Sequence, residues 1–110
     1  MTRDPGPVFA ALADPTRRWM LEAFLREGSA SAPQLTSALP ITRQAVAKHL
    51  TTLSAAGLIE RAPGAGREVR YRLREGALDP AASWLHDAEA AWDERLPRLK
   101  RAVERDRSSS

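Results

Sequence analysis

The sequence predicts a mainly α fold with one small β-hairpin, about five helices and two strands. Three observations carry that expectation. Apolar residues recur at helical spacing in several stretches with recognisable starts and stops, one stretch past the middle alternates strictly, and the helical pattern then returns to the end of the chain. At 110 residues the chain is read as a single domain, 1–110, able to bury roughly two thirds of the surface its unfolded form exposes. Hydrophobic residues at 43% and charged residues at 28% are globular values, and no apolar run approaches the ~20 residues that span a bilayer. The N-terminal stretch lacks the basic-then-apolar pattern of a signal peptide, and the absence of cysteine rules out a disulfide framework. A cytoplasmic protein with no membrane association is expected.

The elements follow in order. Val8 to Leu12 reads as a short helix. Asp14-Pro15-Thr16 opens the next, with Asp14 able to cap free amides and proline tolerated in the first turn; Met20, Leu21, Phe24 and Leu25 then recur at helical spacing from Pro15 to about Glu27, until Gly28. After the small, polar GSASA turn, Ser31 can cap a third helix from about Ala32 to Ala38, with Leu35 and Leu39 inward and Pro40 ending it. Thr42 can cap the fourth, in which Val46, Leu50 and Leu53 share one face while Arg43, Gln44, Ala47, Lys48, Thr51 and Thr52 lie largely on the others; Gly57 ends it. Leu58 to Arg61 reads as a strand, Ala62 to Arg67 as a loop, and Glu68 to Arg74 as a strand with Val69, Tyr71 and Leu73 on one side and Arg70, Arg72 and Arg74 on the other. From about Leu78 to Arg105 the pattern is helical again, with Asp79 as a possible cap. Leu85, Trp92, Leu96, Leu99 and Val103 form one apolar stripe and Trp84, Ala88 and Ala91 a second beside it. Two stripes on one helix ask for two partners. The second is read as another copy of the chain, which makes Leu85, Trp92, Leu96 and Leu99 the expected homodimer interface, against the plainer reading that this helix only covers its own core. Pro97 is expected to kink the helix or split it after roughly Asp93, and Asp106 to Ser110 to fray.

Short helix, turn, capped helix and hairpin is the winged helix-turn-helix order, with the helix-turn-helix at about 31–57, the wing at about 58–74 and a dimerisation helix at about 78–105. Charge agrees with that placement. The net charge is only +3, but Ile41 to Arg74 holds seven cations (Arg43, Lys48, Arg61, Arg67, Arg70, Arg72, Arg74) against Glu60 and Glu68, a local +5, and the rest of the chain carries −2. A basic centre between acidic flanks suits a polyanion, because phosphate neutralisation drives such binding. Thr42, Arg43 and Gln44 occupy the N-terminal turn that meets base edges, where Arg can pair with guanine and Gln with adenine. Lys48 lies one turn on and can reach phosphate, and Arg67 at the hairpin tip, with Arg61 and Arg70 or Arg72, can contact the neighbouring backbone or minor groove. Thr42 serves equally as a plain helix cap.

The runs LADPTRRWMLEAF and LPITRQAVAKHLTTLSAAGLIERAPGAGREVRYRL resemble the ArsR/SmtB family of bacterial dimeric winged-helix repressors, over roughly Phe9 to Leu73. The tail WLHDAEAAWDERLPRLKRAVE resembles a subgroup with a long C-terminal helix. The resemblance implies a DNA role for Thr42, Arg43, Gln44, Lys48 and His49 in the fourth helix and for Arg67 and Arg70 in the wing. His49 stands between two readings, a phosphate donor or a partly buried histidine bonded to a nearby backbone group. The implied partners are an operator in double-stranded DNA and a second copy of the chain, with nucleoid association when bound.

The departures from the family pattern bear on the trigger. Where metal-sensing members carry cysteines in the third helix, this chain reads Pro33-Gln34-Leu35-Thr36-Ser37-Ala38-Leu39. The other known zinc arrangement finds only half its ligands, His86 and Glu89, since Leu73 and Glu75 stand where its first pair belongs. Such sites commonly need three or four good ligands, so no metal and no cofactor is expected, and the effector is left unidentified. An enzyme is not expected either, because two histidines, no cysteine and scattered carboxylates make no nucleophile–base pair. The rival from another class is a winged helix that docks a protein without binding DNA, but such a module has no need of cations on both the fourth helix and the wing tip.

Overall fold

A computed structural model describes residues 4–63 and 66–108. Among them are five helices and a three-stranded antiparallel sheet, in the order α1 (Gly6–Leu12), α2 (Pro15–Glu27), β1 (Ala30–Ser31), α3 (Ala32–Ala38), α4 (Arg43–Ala55), β2 (Ile59–Ala62), β3 (Arg70–Leu73) and α5 (Asp79–Ser108). The mainly α, winged helix-turn-helix expectation holds, with one strand more than the sequence reading contains.

Local chemistry explains most boundaries. The Arg17 amide donates to Asp14 Oδ2 at 3.0 Å and starts α2, while the Ser31 hydroxyl and the Gln34 side chain form a reciprocal capping box at α3. The Ala45 amide donates to Thr42 Oγ1 at 3.1 Å, starting α4. Gly28 and Gly57 carry φ of +84° and +75°, a left-handed turn that lets the chain leave α2 and α4 sharply; at Gly57 a Cβ would also meet Arg74 Nη1 at 3.3 Å.

The extra strand is β1, which the sequence reading left inside the GSASA turn. Two residues are too few to show alternation, and Ala30 and Ser31 are strand only because β3 supplies partners, Tyr71 and Arg70. The sheet order is β1-β3-β2, so β3 is central and the wing is rooted in the body rather than free-standing. The β2–β3 register pairs Ile59 with Leu73 and Ala62 with Arg70. β2 keeps the expected four residues but starts one later than Leu58, whereas β3 is shorter than the expected Glu68 to Arg74: Glu68, Val69 and Arg74 lie outside it, with Val69 exposed. The expected loop from Ala62 to Arg67 includes Gly64 and Ala65, which lie outside the described residues.

The core gathers one face of every helix of the body: Val8 and Ala11 from α1, Met20, Leu21, Ala23 and Phe24 from α2, Leu35 from α3, and Val46, Leu50 and Leu53 from α4, closed by Leu58 and Ile59. Leu25, expected among the inward residues, is 63% exposed. It follows Phe24 by 100° of helix rotation, which carries it off the buried face.

α5 behaves differently. At 1.5 Å per residue its 30 residues span about 45 Å, and the Cα radius of gyration is 20.3 Å, against about 13 Å for a compact chain of this length. Ala81 is buried, and Trp84 meets Phe9 of α1 edge to face with centroids 5.5 Å apart, which uses part of the second apolar stripe. From Glu89 to Arg107 every residue is exposed. Of the kink or split expected at Pro97, the split does not occur: one helix, Asp79–Ser108, runs through it. Proline removes one backbone donor, and the carbonyl it leaves, on Asp93, sits on a solvated helix where water can satisfy it. The helix also outlasts the expected fraying at Asp106, reaching Ser108. Asp79 in the first turn and Arg105 and Arg107 in the last complement the helix dipole, and Ser109 and Ser110 lie outside the described residues.

Candidate nucleic-acid interface

α4 is anchored through Val46, Leu50 and Leu53, which are all buried, so its opposite flank is forced outward. Thr42, Arg43, Gln44 and Lys48 are exposed there. Among the described residues, the side chains of Arg43, Gln44 and Lys48 make no hydrogen bond or ion pair within the chain. The free N-terminal amides of α4 and these three side chains present donors to one region, and helix N-termini favour anions.

Beside them runs a groove of about 600 Å³ between α4 and the wing sheet, lined by Ala47, Thr51, Ser54 and Ala55 on the helix and by Glu60, Arg61 and Tyr71 on the strands. Sequence reasoning passed over this groove. Its signal was the run of small side chains Ala47, Thr51, Ser54 and Ala55 on the flank next to Arg43, which leaves room for a bulky chain to approach.

The two acids of the basic segment are both turned onto strand arginines: Glu60 Oε1 lies 3.5 Å from Arg72 Nε, and Glu68 Oε2 lies 3.4 Å from Arg70 Nη1. Arg43, Lys48, Arg61 and Arg67 are left exposed and without an acidic partner among the described residues. Arg67 follows Gly66 at the wing tip, clear of both strands.

Two of the residues singled out from sequence are placed otherwise than expected. Arg70 does not share a wet face with Arg72 and Arg74. Its side chain is 27% exposed; Nε donates to Ser29 Oγ at 2.9 Å and Nη2 to the Ser29 carbonyl at 3.0 Å. It fastens β3 to the α2–β1 connection, because the added strand β1 brings Ser29 alongside. His49 is half-buried, as one of its two readings has it, but its neighbour within the chain is a side chain and not a backbone group, with Nδ1 3.4 Å from Arg17 Nη1. Arg17 in turn donates to the carbonyls of Ala11 at 2.7 Å and Ala10 at 3.2 Å, so this cluster ties α1, α2 and α4 together beneath the exposed donors. Asp14, which caps α2 in the same cluster, has its carboxyl held below the ordinary range by the Arg17 amide, with His49 and the Arg17 charge adding to the effect.

Of the expected dimer residues, Leu85, Trp92, Leu96 and Leu99 are all roughly half exposed on α5, Leu85 beside Phe9 of α1. His86 and Glu89 are exposed on the same helix, and no group of three or more metal-ligating side chains occurs among the described residues. No described helix is long and apolar enough to cross a membrane.

A helix-turn-helix domain family matches residues 12–62. The chain is 35% identical over 94 residues to the HTH-type transcriptional regulator Rv2034 of Mycobacterium tuberculosis, covering 86% of this chain and 83% of that protein. It is 34% identical to the arsenic resistance transcriptional regulator ArsR1 of Pseudomonas putida, covering 74% of this chain and 71% of that protein. Among solved structures, an ArsR-like transcriptional regulator from Rhodococcus sp. RHA1 superposes with a TM-score of 0.79 at 43% identity, covering 91% of this chain and 90% of that one.

Proposed function

The chain belongs to the ArsR family of winged helix-turn-helix transcriptional regulators, and from that premise we propose that it is a bacterial cytoplasmic repressor that binds an inverted-repeat operator as a homodimer. Two copies of α4 enter successive major grooves about 34 Å apart, and repression follows from occupying the promoter. The observation that carries the reading is the cluster of exposed, unpartnered donors at the start of α4, beside the groove of about 600 Å³ between that helix and the wing. Thr42, Arg43 and Gln44 meet base edges; Lys48 and Arg67 meet phosphates. Arg70 is retained only as a support that orients the wing, and His49 as a support for α4. Regulation by binding assigns the chain no catalytic step.

The dimer rests on α5. Half-exposed Leu85, Trp92, Leu96, Leu99 and Val103, on a helix that its own chain covers only near the start, form the kind of apolar stripe that a two-fold interface buries on both copies. The test is a gel shift on the DNA upstream of the chain's own gene over a salt series. A dimer neutralising roughly six to ten phosphates loses about 10³–10⁵ in affinity between 50 and 200 mM salt. No shift on upstream or genomic fragments at low salt would overturn the proposal.

A further inference from the structure

We propose that the pocket between α2, α3 and the base of the wing binds a small amphipathic monoanion, an apolar body of one or two rings carrying a single carboxylate. The cavity holds about 280 Å³, near the lower end of small-molecule sites, and its floor is apolar. Ala23, Ala30 and Leu35 form that floor and are buried, and the half-buried Trp19 supplies a flat aromatic wall for a ring to pack against.

The rim supplies the head-group chemistry. Arg26 and Arg70 line it; Glu27 Oε1 lies 3.6 Å from Arg26 Nε and Glu68, outside the lining, pairs with Arg70, so an anion that displaces Glu68 meets one net positive charge from the lining residues. Of the five N–H donors of the Arg70 guanidinium, two are held by Ser29 and one makes only a 3.4 Å contact with the half-exposed Glu68. An exposed pair of that kind is weak, so an incoming carboxylate can take the place of Glu68 on a guanidinium already fixed in position. Gln34 adds a further donor, because its Oε1 accepts the Ser31 amide and leaves its NH₂ group free for a ligand oxygen. None of these residues belongs to the proposed DNA-contacting set, Arg70 serving there only to orient the wing, so the site can fill without the duplex.

The experiment is a nuclear magnetic resonance titration of the full chain, without DNA, with 2-naphthoate and with its neutral analogue 2-naphthalenemethanol. Saturable shifts at the Trp19 indole N–H, Ser29, Gln34 and Arg70 are expected, with the alcohol binding at least tenfold more weakly. Ala38→Leu, on the exposed side of α3 at the rim, should lower naphthoate affinity at least tenfold by filling the cavity. Arg26→Gln, at a side chain 59% exposed and therefore harmless to the fold, should weaken naphthoate but not the alcohol. Equal affinity for the two probes, shifts centred on Leu85 to Val103 of α5, or undiminished binding by both variants would each overturn the site. Because no operator is present, its failure is separate from any failure of the DNA reading.

Discussion

α4 and α5 each present an outward face that the chain leaves uncovered, and the two faces ask for opposite partners. α4 buries Val46, Leu50 and Leu53 completely or nearly so and shows solvent Arg43, Gln44 and Lys48. α5 buries Ala81 near its start and shows Trp92 and Leu96 at 53% and 45% exposure. The first helix is positioned by its own chain and has only polar valences to offer, which suits a solvated polyanion whose charge it can reach from a fixed frame. The second has apolar area and no frame beyond its first turns. Beyond Trp84 the stripe stays exposed, so in the proposed homodimer each α4 is fixed by its own chain and the spacing between the two copies of α4 is set through α5.

The largest effect should come from breaking the α5 side of this contrast. Trp92→Ala with Leu96→Ala removes two central apolar anchors, each counted twice in a two-fold interface, and dimerisation should weaken by about a thousandfold or more. Sedimentation should then report monomer at micromolar concentration, with near-normal helix content; a wild-type monomer at that concentration would refute the assignment. Next, Leu53→Ala in α4 should cost about 2–5 kcal/mol of chain stability in denaturant titration, whereas Leu99→Ala, half exposed, should leave that stability nearly unchanged once the dimer is absent. Comparable losses for both would mean that α5 is packed within its own chain.

On the α4 side the effects are smaller and differ in kind. Arg43→Ala should cost about 1–3 kcal/mol on the preferred operator and relax sequence preference, while Arg67→Ala should weaken all sequences alike and lower the salt slope by about one. Competition binding with scrambled duplexes separates the two, and an equal loss of specificity from both would count against the contact scheme. The smallest effect concerns Asp14. Its carboxyl is held below the unfolded value, so its contribution is present above the ordinary carboxylate range and is lost as pH falls through the depressed folded value. Asp14→Asn should flatten the acid limb of the stability–pH curve slightly, with no change near neutrality in its slope.

Much of the body was legible because its signals are local. Asp14, Ser31 and Thr42 are capping residues three positions ahead of the amides they accept from, and the apolar spacing of α2, α3 and α4 follows from a 3.6-residue period. The donors of the candidate interface were legible for the same reason, since a helix with one buried flank must show the other. Arg70 was not, because alternation assigns a side to a residue but does not reveal that a neighbouring strand places Ser29 within reach. Neither was the groove between α4 and the wing, whose lining joins residues of α4, β2 and β3 that only the packing of helix on sheet sets face to face.

The sequence by itself determined the number and type of helices, the hairpin, the location of excess positive charge and the family. Each rests on periodicity, capping or motif, which depend on neighbours along the chain. Tertiary structure alone decided that β1 joins the sheet, that Arg70 is a fastening rather than a free cation, that His49 leans on Arg17, and that α5 passes through Pro97 unbroken. These depend on which groups meet across the fold, or on whether water can reach a carbonyl, and neither is written in the order of residues.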